Sequence, residues 1–147
     1  METRYPTLSK ARAHLPEVFD AAEADLPLHL ERREVGFAVV TESLLRGVLT
    51  GAVSVPTPEV YSENEGWTIV LPGTPVAADA TLFDEAIDDF VHALVEYVED
   101  WINDSDLRTA PSHRANVGLV QLISRLSEEE TRQWVIQSSP VPATAQR

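Results

Sequence analysis

The chain has 147 residues, 44% of them hydrophobic, and a net charge of −13, so wholesale disorder is excluded and one domain or two very small ones are expected. The absence of cysteine excludes disulfides and thiolate metal sites. Because the apolar runs are too short to cross a bilayer and the N-terminus lacks the apolar stretch of a secretion signal, we expect a cytoplasmic protein that does not contact a membrane.

The negative charge is unevenly distributed along the chain. Residues 1–55 contain six basic and eight acidic side chains, whereas residues 56–147 contain five basic and sixteen acidic ones. Within the first fourteen residues basic side chains outnumber acidic ones, with Arg4, Lys10 and Arg12 against Glu2. Since DNA affinity comes largely from neutralising phosphates, we expect the two parts of the chain to bind different partners.

The first predicted element is an amphipathic helix over residues 8–26, where apolar side chains recur at three- and four-residue steps. Thr7 or Ser9 can cap its start. Pro16 removes a backbone donor within this segment. We therefore expect either a kink there or two short helices, with Pro16 in the first turn of the second.

A hairpin is predicted next, with strands at Leu28–Leu30 and Phe37–Val40 around a charged segment. Gly36 is suited to bulge or turn geometry in this hairpin. A short helix over Glu42–Leu49 should follow, and Gly51 should end it.

A break follows at Val55-Pro56-Thr57-Pro58 and the polar run 62–66, because alternating prolines prevent continuation of a helix or a sheet. We therefore predict a first module over residues 1–52 and a linker over residues 53–65.

The second module is predicted over residues 66–137. Trp67–Leu71 and Val76–Ala78 have the composition of strands, and Pro72-Gly73 forms the turn between them. From Thr81 onward apolar side chains keep helical spacing for about six turns, with Thr81 and Asp84 arranged as a capping pair.

The C-terminal part contains an apolar run, residues 117–123, that periodicity alone cannot assign to a helix or a strand. Its length and valine content favour a strand. Ser127 and Glu130 have the spacing of a capping box, which predicts a short terminal helix through Trp134 and Val135. We expect residues 138–147 to be a disordered tail.

The N-terminal part of the chain contains three informative runs: Leu8-Ser9-Lys10-Ala11-Arg12-Ala13-His14-Leu15, then Arg32-Arg33, then Ala38-Val39-Val40. Together they resemble the pattern of the Phd/YefM antitoxin family, over residues 5–50. The resemblance implies a symmetric homodimer whose N-terminal helices bind operator DNA and repress the operon. It assigns DNA contacts to Ser9, Lys10 and Arg12, and secondarily to Arg32 and Arg33. Glu31 and Glu34 depart from this pattern, since the family usually has threonine and the turn glycine there. The alternative is that Lys10 and Arg12 belong to an ordinary solvated helix face.

A second stretch contains Trp67-Thr68-Ile69-Val70-Leu71-Pro72-Gly73, then Ala78-Asp79, then Thr81-Leu82-x-x-Glu85-Ala86. This pattern resembles the core of HicB antitoxins, over residues 66–100. This resemblance implies a degenerate ribonuclease-H-like strand-strand-helix unit that neutralises an RNA-cleaving toxin.

Acidic residues recur along the predicted long helix. Toxins that act on RNA tend to be basic, and an acidic surface would attract them and compete with their nucleic acid. The hypothesis assigns toxin binding to four carboxylates: Asp88, Glu96, Glu99 and Asp100. The alternative is a solvated helix surface, as Asp84 and Glu85 need no explanation beyond the helix dipole.

No catalytic site is predicted. The four histidines lack the three- or four-residue spacing of a helical metal site, and no nucleophile motif surrounds any serine. We therefore expect no enzyme, no metal and no cofactor. The nuclease alternative would have to start from Asp79 and Glu85, the plausible beginnings of a carboxylate metal site.

These predictions combine into an α+β protein with a Phd/YefM-like dimerisation module and a HicB-like strand-strand-helix module. The predicted function is the antitoxin of a type II toxin-antitoxin system, which binds its cognate toxin and represses its own operon. The alternative is a stand-alone transcriptional regulator or adaptor without a toxin partner.

Overall fold

The computed structural model describes residues 2–52 and 55–139 and confirms the α+β class. Within these residues there are two three-stranded sheets and eight helices. The chain divides into two compact units, unit 1 over residues 1–51 and unit 2 over residues 52–147. In the part of the chain that the structure describes, no helix is long and apolar enough to span a membrane.

Unit 1 contains one sheet and three helices. Its sheet has the order β1-β2-β3, with β1 parallel to β2 and β2 antiparallel to β3. Its elements are β1 (Arg4–Tyr5), α1 (Leu8–Ala13), α2 (Leu15–Glu23), β2 (Leu28–Arg32), β3 (Val35–Val39) and α3 (Glu42–Ala52).

The segment 8–26 contains two short helices, which is one of the two outcomes that Pro16 predicted. The Thr7 hydroxyl caps α1 by accepting from the backbone N–H of Lys10 at 3.2 Å. Pro16 lies in the first turn of α2, where its missing N–H costs no helical hydrogen bond. The prediction of two helices with Pro16 in the first turn of the second is therefore confirmed.

The predicted apolar face of residues 8–26 is only partly covered. Ala11, Val18 and Ala22 are buried, and Tyr5 and Leu28 complete the small core of unit 1 with Ala21. Four other members of the face keep 36–54% of their surface exposed: Leu8, Leu15, Phe19 and Leu26. A unit of this size lacks the interior volume to bury all of them.

The hairpin turn lies at Arg33-Glu34, not at Gly36. Arg33 and Glu34 both have left-handed backbones, with φ of 51° and 64°, the geometry of tight two-residue hairpin turns. Gly36 lies inside β3, where an added Cβ would come within 2.7 Å of Cε1 of His29. The prediction of turn geometry at Gly36 is therefore wrong, because Arg33 and Glu34 form the turn and Gly36 pairs with Glu31 in the sheet.

Helix α3 extends further than expected. It runs to Ala52 and includes Gly51, which was predicted to end it. A glycine lowers helix stability without forcing an end to the helix.

Unit 2 begins with an antiparallel sheet of order β4-β5-β6, formed by Glu59–Glu63, Gly66–Val70 and Ala77–Ala80. Strand β4 lies in the segment predicted as a linker, so the predicted break is wrong beyond Pro58. An edge strand needs few apolar residues, and a tight turn with left-handed Asn64 and Glu65 joins β4 to β5. The two strands predicted from the HicB-like segment correspond to β5 and β6, with β6 starting one residue later.

Helix α4 (Phe83–Asn103) is the centre of unit 2, and it confirms the predicted long helix. It packs against β5, β6 and the helices that follow it: α5 (Ser105–Thr109), α7 (Val117–Ile123) and α8 (Glu128–Ser138). The short helix α6 (Pro111–Arg114) follows α5 in the chain. The N-cap of α4 is Leu82, which makes no side-chain capping bond. The predicted capping pair of Thr81 and Asp84 is therefore wrong, since Asp84 instead accepts a hydrogen bond from Arg132.

The segment 117–123 forms helix α7, so the preference for a strand was wrong. Leu119, Val120, Leu122 and Ile123 are buried, a spacing that places apolar side chains on one side of a helix. Contact with α4 stabilises this helix, although the local sequence also suits a strand.

The terminal helix α8 confirms the predicted capping box. The Ser127 hydroxyl accepts from the Glu130 N–H at 3.2 Å, and the Glu130 carboxylate accepts from the Ser127 N–H at 2.8 Å. Ser138 ends α8, and Ser139 is buried with its hydroxyl donating to the carbonyl of Val135. The prediction of a disordered tail is therefore wrong at Ser138 and Ser139. The rest of that predicted tail, residues 140–147, lies outside the described residues.

Candidate functional site

The predicted DNA-contacting residues of α1 share an exposed surface. Ser9, Lys10 and Arg12 are all exposed, while Ala11 between them is buried against the unit 1 core. The short helix therefore anchors itself through one alanine and presents its polar side chains outward. Lys10 is already engaged, since its Nζ lies 2.6 Å from Oε1 of Glu2.

The two arginines of the hairpin lie close together at its tip. Arg32 is the last residue of β2, and Arg33 opens the turn. Arg32 also lines a shallow groove of about 350 Å³ together with Leu8 of α1 and Phe37 of β3. Glu31 lines the same groove, so a carboxylate offsets part of the positive charge there.

The four predicted toxin-binding carboxylates are exposed on α4 but differ in their partners. Asp88 accepts from Nε of Arg132 at 2.9 Å, and Asp84 accepts from Nη2 of the same arginine at 3.1 Å. The hydrogen bond that Arg132 donates to Asp88 is the main cause that raises the pKa of Arg132. Asp88 therefore holds α8 against α4, an intramolecular role that the sequence did not indicate.

Glu96, Glu99 and Asp100 lie further along α4. The carboxylate of Glu96 lies 3.3 Å from Nε2 of His92, one helical turn earlier. Glu99 and Asp100 are neighbours in sequence and so point about 100° apart around the helix. Only Glu99 borders the hollow described next, and Asp100 is not among its lining residues.

An open hollow of about 320 Å³ lies where α4 meets the end of α7 and the start of α8; we call it the α4 groove. Its apolar lining consists of Val95, Val98, Ile102, Ile123 and Leu126. Its polar lining consists of His92, Glu99, Ser124 and Glu128. Sequence reasoning missed this groove, because its two sides come from segments more than twenty residues apart. The exposed position of Ile102 within the predicted apolar stripe was not apparent either.

Sequence reasoning also missed a buried polar network beside α4. Nδ2 of Asn116 lies 2.9 Å from the Tyr97 hydroxyl and 3.1 Å from the carbonyl of Gly73. Nε1 of Trp101 donates to the carbonyl of His113 at 3.1 Å. These bonds join α4 to the segment around α6 and to the turn after β5, and they serve the fold of unit 2.

The carboxylates considered for a nuclease do not converge. Asp79 lines a polar hollow with Glu63 and Glu65, and Glu85 is not among the residues that line it. Within residues 2–52 and 55–139, no group of three or more His, Asp or Glu side chains lies close enough to hold a metal ion.

Three comparisons with known proteins complete the description of the site. A family model described as "PHD_like: Antitoxin of toxin-antitoxin, RelE / RelB, TA system" matches residues 1–135. A search among curated proteins found no match. A crystal structure from Syntrophomonas wolfei subsp. wolfei, described as the antitoxin part of a candidate toxin/antitoxin system, has a similar fold with a TM-score of 0.77. The sequences are 16% identical, and the alignment covers 91% of this chain and 96% of that one.

Proposed function

Since the chain belongs to the PHD-like family of antitoxins of RelE/RelB toxin-antitoxin systems, we propose that it neutralises a cognate protein toxin by direct binding in the cytoplasm. We propose in addition that it binds operator DNA as a homodimer and so represses its own operon. Neither activity requires a cofactor. The observation that carries the proposal is the match of the antitoxin family model to residues 1–135.

Toxin binding through unit 2 is supported by the acidic surface of α4. Asp88, Glu96, Glu99 and Asp100 are all exposed along one helix. A toxin that binds RNA has to present positive charge, and a row of carboxylates would attract that same surface. The hairpin β5–β6 followed by α4 is also the strand-strand-helix order implied by the HicB-like residues.

A homodimer through unit 1 is supported by its exposed apolar side chains. Val35 and Phe37 project from the edge strand β3 with 54% and 49% of their surface exposed. Leu44 and Val48 of α3 are 39% and 50% exposed. So much exposed apolar surface on about fifty residues is typical of a protein that completes its core with a partner.

DNA binding is supported by the outward position of Ser9, Lys10 and Arg12. Two copies related by a twofold axis would present two such helices, which suits the two half-sites of an operator.

The proposal is tested by co-expressing the chain with the product of the adjacent gene and purifying through a tag on the chain. We expect stable co-purification and rescue of growth from the toxicity of the partner. Reversing Glu96, Glu99 and Asp100 to lysine should slow association at low salt, and Asp88 is kept because it binds Arg132. Growth arrest that the chain does not relieve, with no complex formed, would contradict the proposed function.

A further inference from the structure

The α4 groove combines an apolar floor with an acidic border. Ile102 keeps 49% of its surface exposed although it belongs to the apolar stripe of α4. Val95 and Leu126 are half-buried and line the same hollow. An isolated exposed isoleucine is ordinary, but a recessed cluster of aliphatic side chains next to solvent is typical of a site that a partner covers.

The border of the groove is negative. Glu99 lies on the α4 side and Glu128 on the α8 side, so carboxylates border the groove on both helices. Glu96 lies within one turn of Glu99 on α4, and Glu129 follows Glu128 at the start of α8. Among the described residues that line the groove there is no lysine or arginine.

The charge of the groove identifies the chemistry of its occupant. A segment with an aliphatic side chain would cover Ile102 and Val95, and a lysine or arginine beside it would reach Glu99 or Glu128. A second copy of this chain is a poor occupant, because it has 24 acidic residues against 11 lysines and arginines and would place like charges together.

We propose that the α4 groove is the docking site of the toxin, which inserts a segment with an aliphatic side chain next to a lysine or arginine. This inference rests on the proposed function and locates it on the chain. It also separates three of the four predicted carboxylates by role. Glu99 contacts the bound segment, Asp88 holds α8 in place, and Asp100 contributes only to long-range attraction.

This division has a kinetic consequence. Charges outside an interface change the association rate and its salt dependence, whereas contacts within the interface change the dissociation rate. Replacing a groove residue should therefore accelerate dissociation. Replacing an acidic residue outside the groove should slow association at low salt and leave dissociation unchanged.

Two matched pairs of variants test the proposal in the full chain. Ile102→Gln and Val117→Gln each remove one aliphatic side chain of nearly equal exposure, 49% and 48%, and only Ile102 lines the groove. Glu99→Lys and Asp100→Lys reverse adjacent charges on α4, and only Glu99 lines the groove. Circular dichroism and thermal melting first establish that each variant folds as the wild type does. Binding to the toxin purified from the adjacent gene is then measured by surface plasmon resonance.

We expect Ile102→Gln and Glu99→Lys to raise Kd about tenfold or more through faster dissociation, as truncation of a central contact does. Val117→Gln should leave Kd unchanged, and Asp100→Lys should act on association alone. If the wild type binds the toxin and all four variants dissociate at its rate, the groove proposal is overturned while the proposed function stands. If the wild type does not bind at all, both fail.

A second copy as the occupant would give a different result. Sedimentation analysis of the chain alone would then show that Ile102→Gln weakens self-association while Val117→Gln does not. That outcome would also overturn the proposal.

Discussion

The hydroxyl of Tyr97 lies 3.0 Å from Nδ1 of His113. Nδ2 of Asn116 also donates to the same hydroxyl oxygen, at 2.9 Å. The two ring planes are tilted by 43° to each other, with their centroids 5.8 Å apart. This pair attaches the middle of α4 to α6.

Tyr97→Phe should destabilise unit 2 by about 1–3 kcal/mol, because Asn116 would lose a partner while remaining buried. Urea denaturation followed by circular dichroism measures the change. Tyr61→Phe is the matched control, since Tyr61 is 44% exposed, and its effect should stay within about 0.5 kcal/mol. Equal effects of the two changes would show that the network contributes nothing.

Glu65→Gly should stabilise the β4–β5 hairpin by about 1 kcal/mol. Glu65 has a φ of 63°, a left-handed conformation that costs a residue with a side chain about this much and costs glycine almost nothing. The change also creates Asn-Gly, the preferred pair for this turn. Glu63→Gly, inside β4, should lower stability instead. A gain of the same size from both changes would exclude the turn as the cause.

The stability of unit 1 should depend on alkaline pH through Tyr5. Burial is the main cause that raises the pKa of Tyr5 above 10.0, and Glu2 and Glu17 add to it. The folded state therefore holds a proton that the unfolded chain releases above pH 10. This contribution to stability is complete below that pH and is lost as the pH rises through the raised pKa.

Tyr5→Phe should abolish this alkaline dependence. The free energy of unfolding of both proteins is measured by urea denaturation between pH 9 and about 11.5, a range set by the ordinary tyrosine pKa. Both are made in a Tyr61→Phe background, because a hydrogen bond to Glu59 raises the pKa of Tyr61 as well. If the free energy of unfolding falls equally with rising pH in the proteins with and without Tyr5, the alkaline dependence does not come from Tyr5.

Phe37→Glu should dissociate the proposed homodimer. A carboxylate at this position on β3 would have to be buried without a partner in the interface, at a cost of several kcal/mol. Light scattering coupled to size-exclusion chromatography reports the mass. Tyr61→Glu in unit 2, at a comparable exposure of 44%, is the control. A wild-type chain that is monomeric at micromolar concentration would contradict the dimer directly.

Arg12→Ala should weaken operator binding uniformly across sequences and lower the salt slope by about 1, the signature of one lost phosphate contact. Lys10→Ala should have a smaller effect, because Glu2 already neutralises part of that charge. Gel-shift titrations at several salt concentrations measure both. Arg114→Ala, an exposed arginine of unit 2, serves as the control. An unchanged slope for Arg12→Ala would remove α1 from the DNA interface.

The sequence by itself determined those elements that local interactions stabilise. The apolar spacing along Phe83–Asn103 predicts α4, because a helix that long buries one continuous stripe. The capping box of Ser127 and Glu130 and the helix break at Pro16 were also predictable, since each involves atoms within four residues. The resemblance of residues 5–50 and 66–100 to antitoxin families also indicated the antitoxin class.

Only the tertiary structure decided what depends on distant residues. Residues 117–123 form a helix because they pack against α4, and Gly36 lies inside β3 because the hairpin turn forms at Arg33 and Glu34. The α4 groove requires Val98 and Ile123 to meet, and Asp88 acquires its role from Arg132 of another helix. Periodicity reports which face of one segment is apolar, whereas the burial of that face and the pairing of its charges depend on contacts between segments that are far apart in sequence.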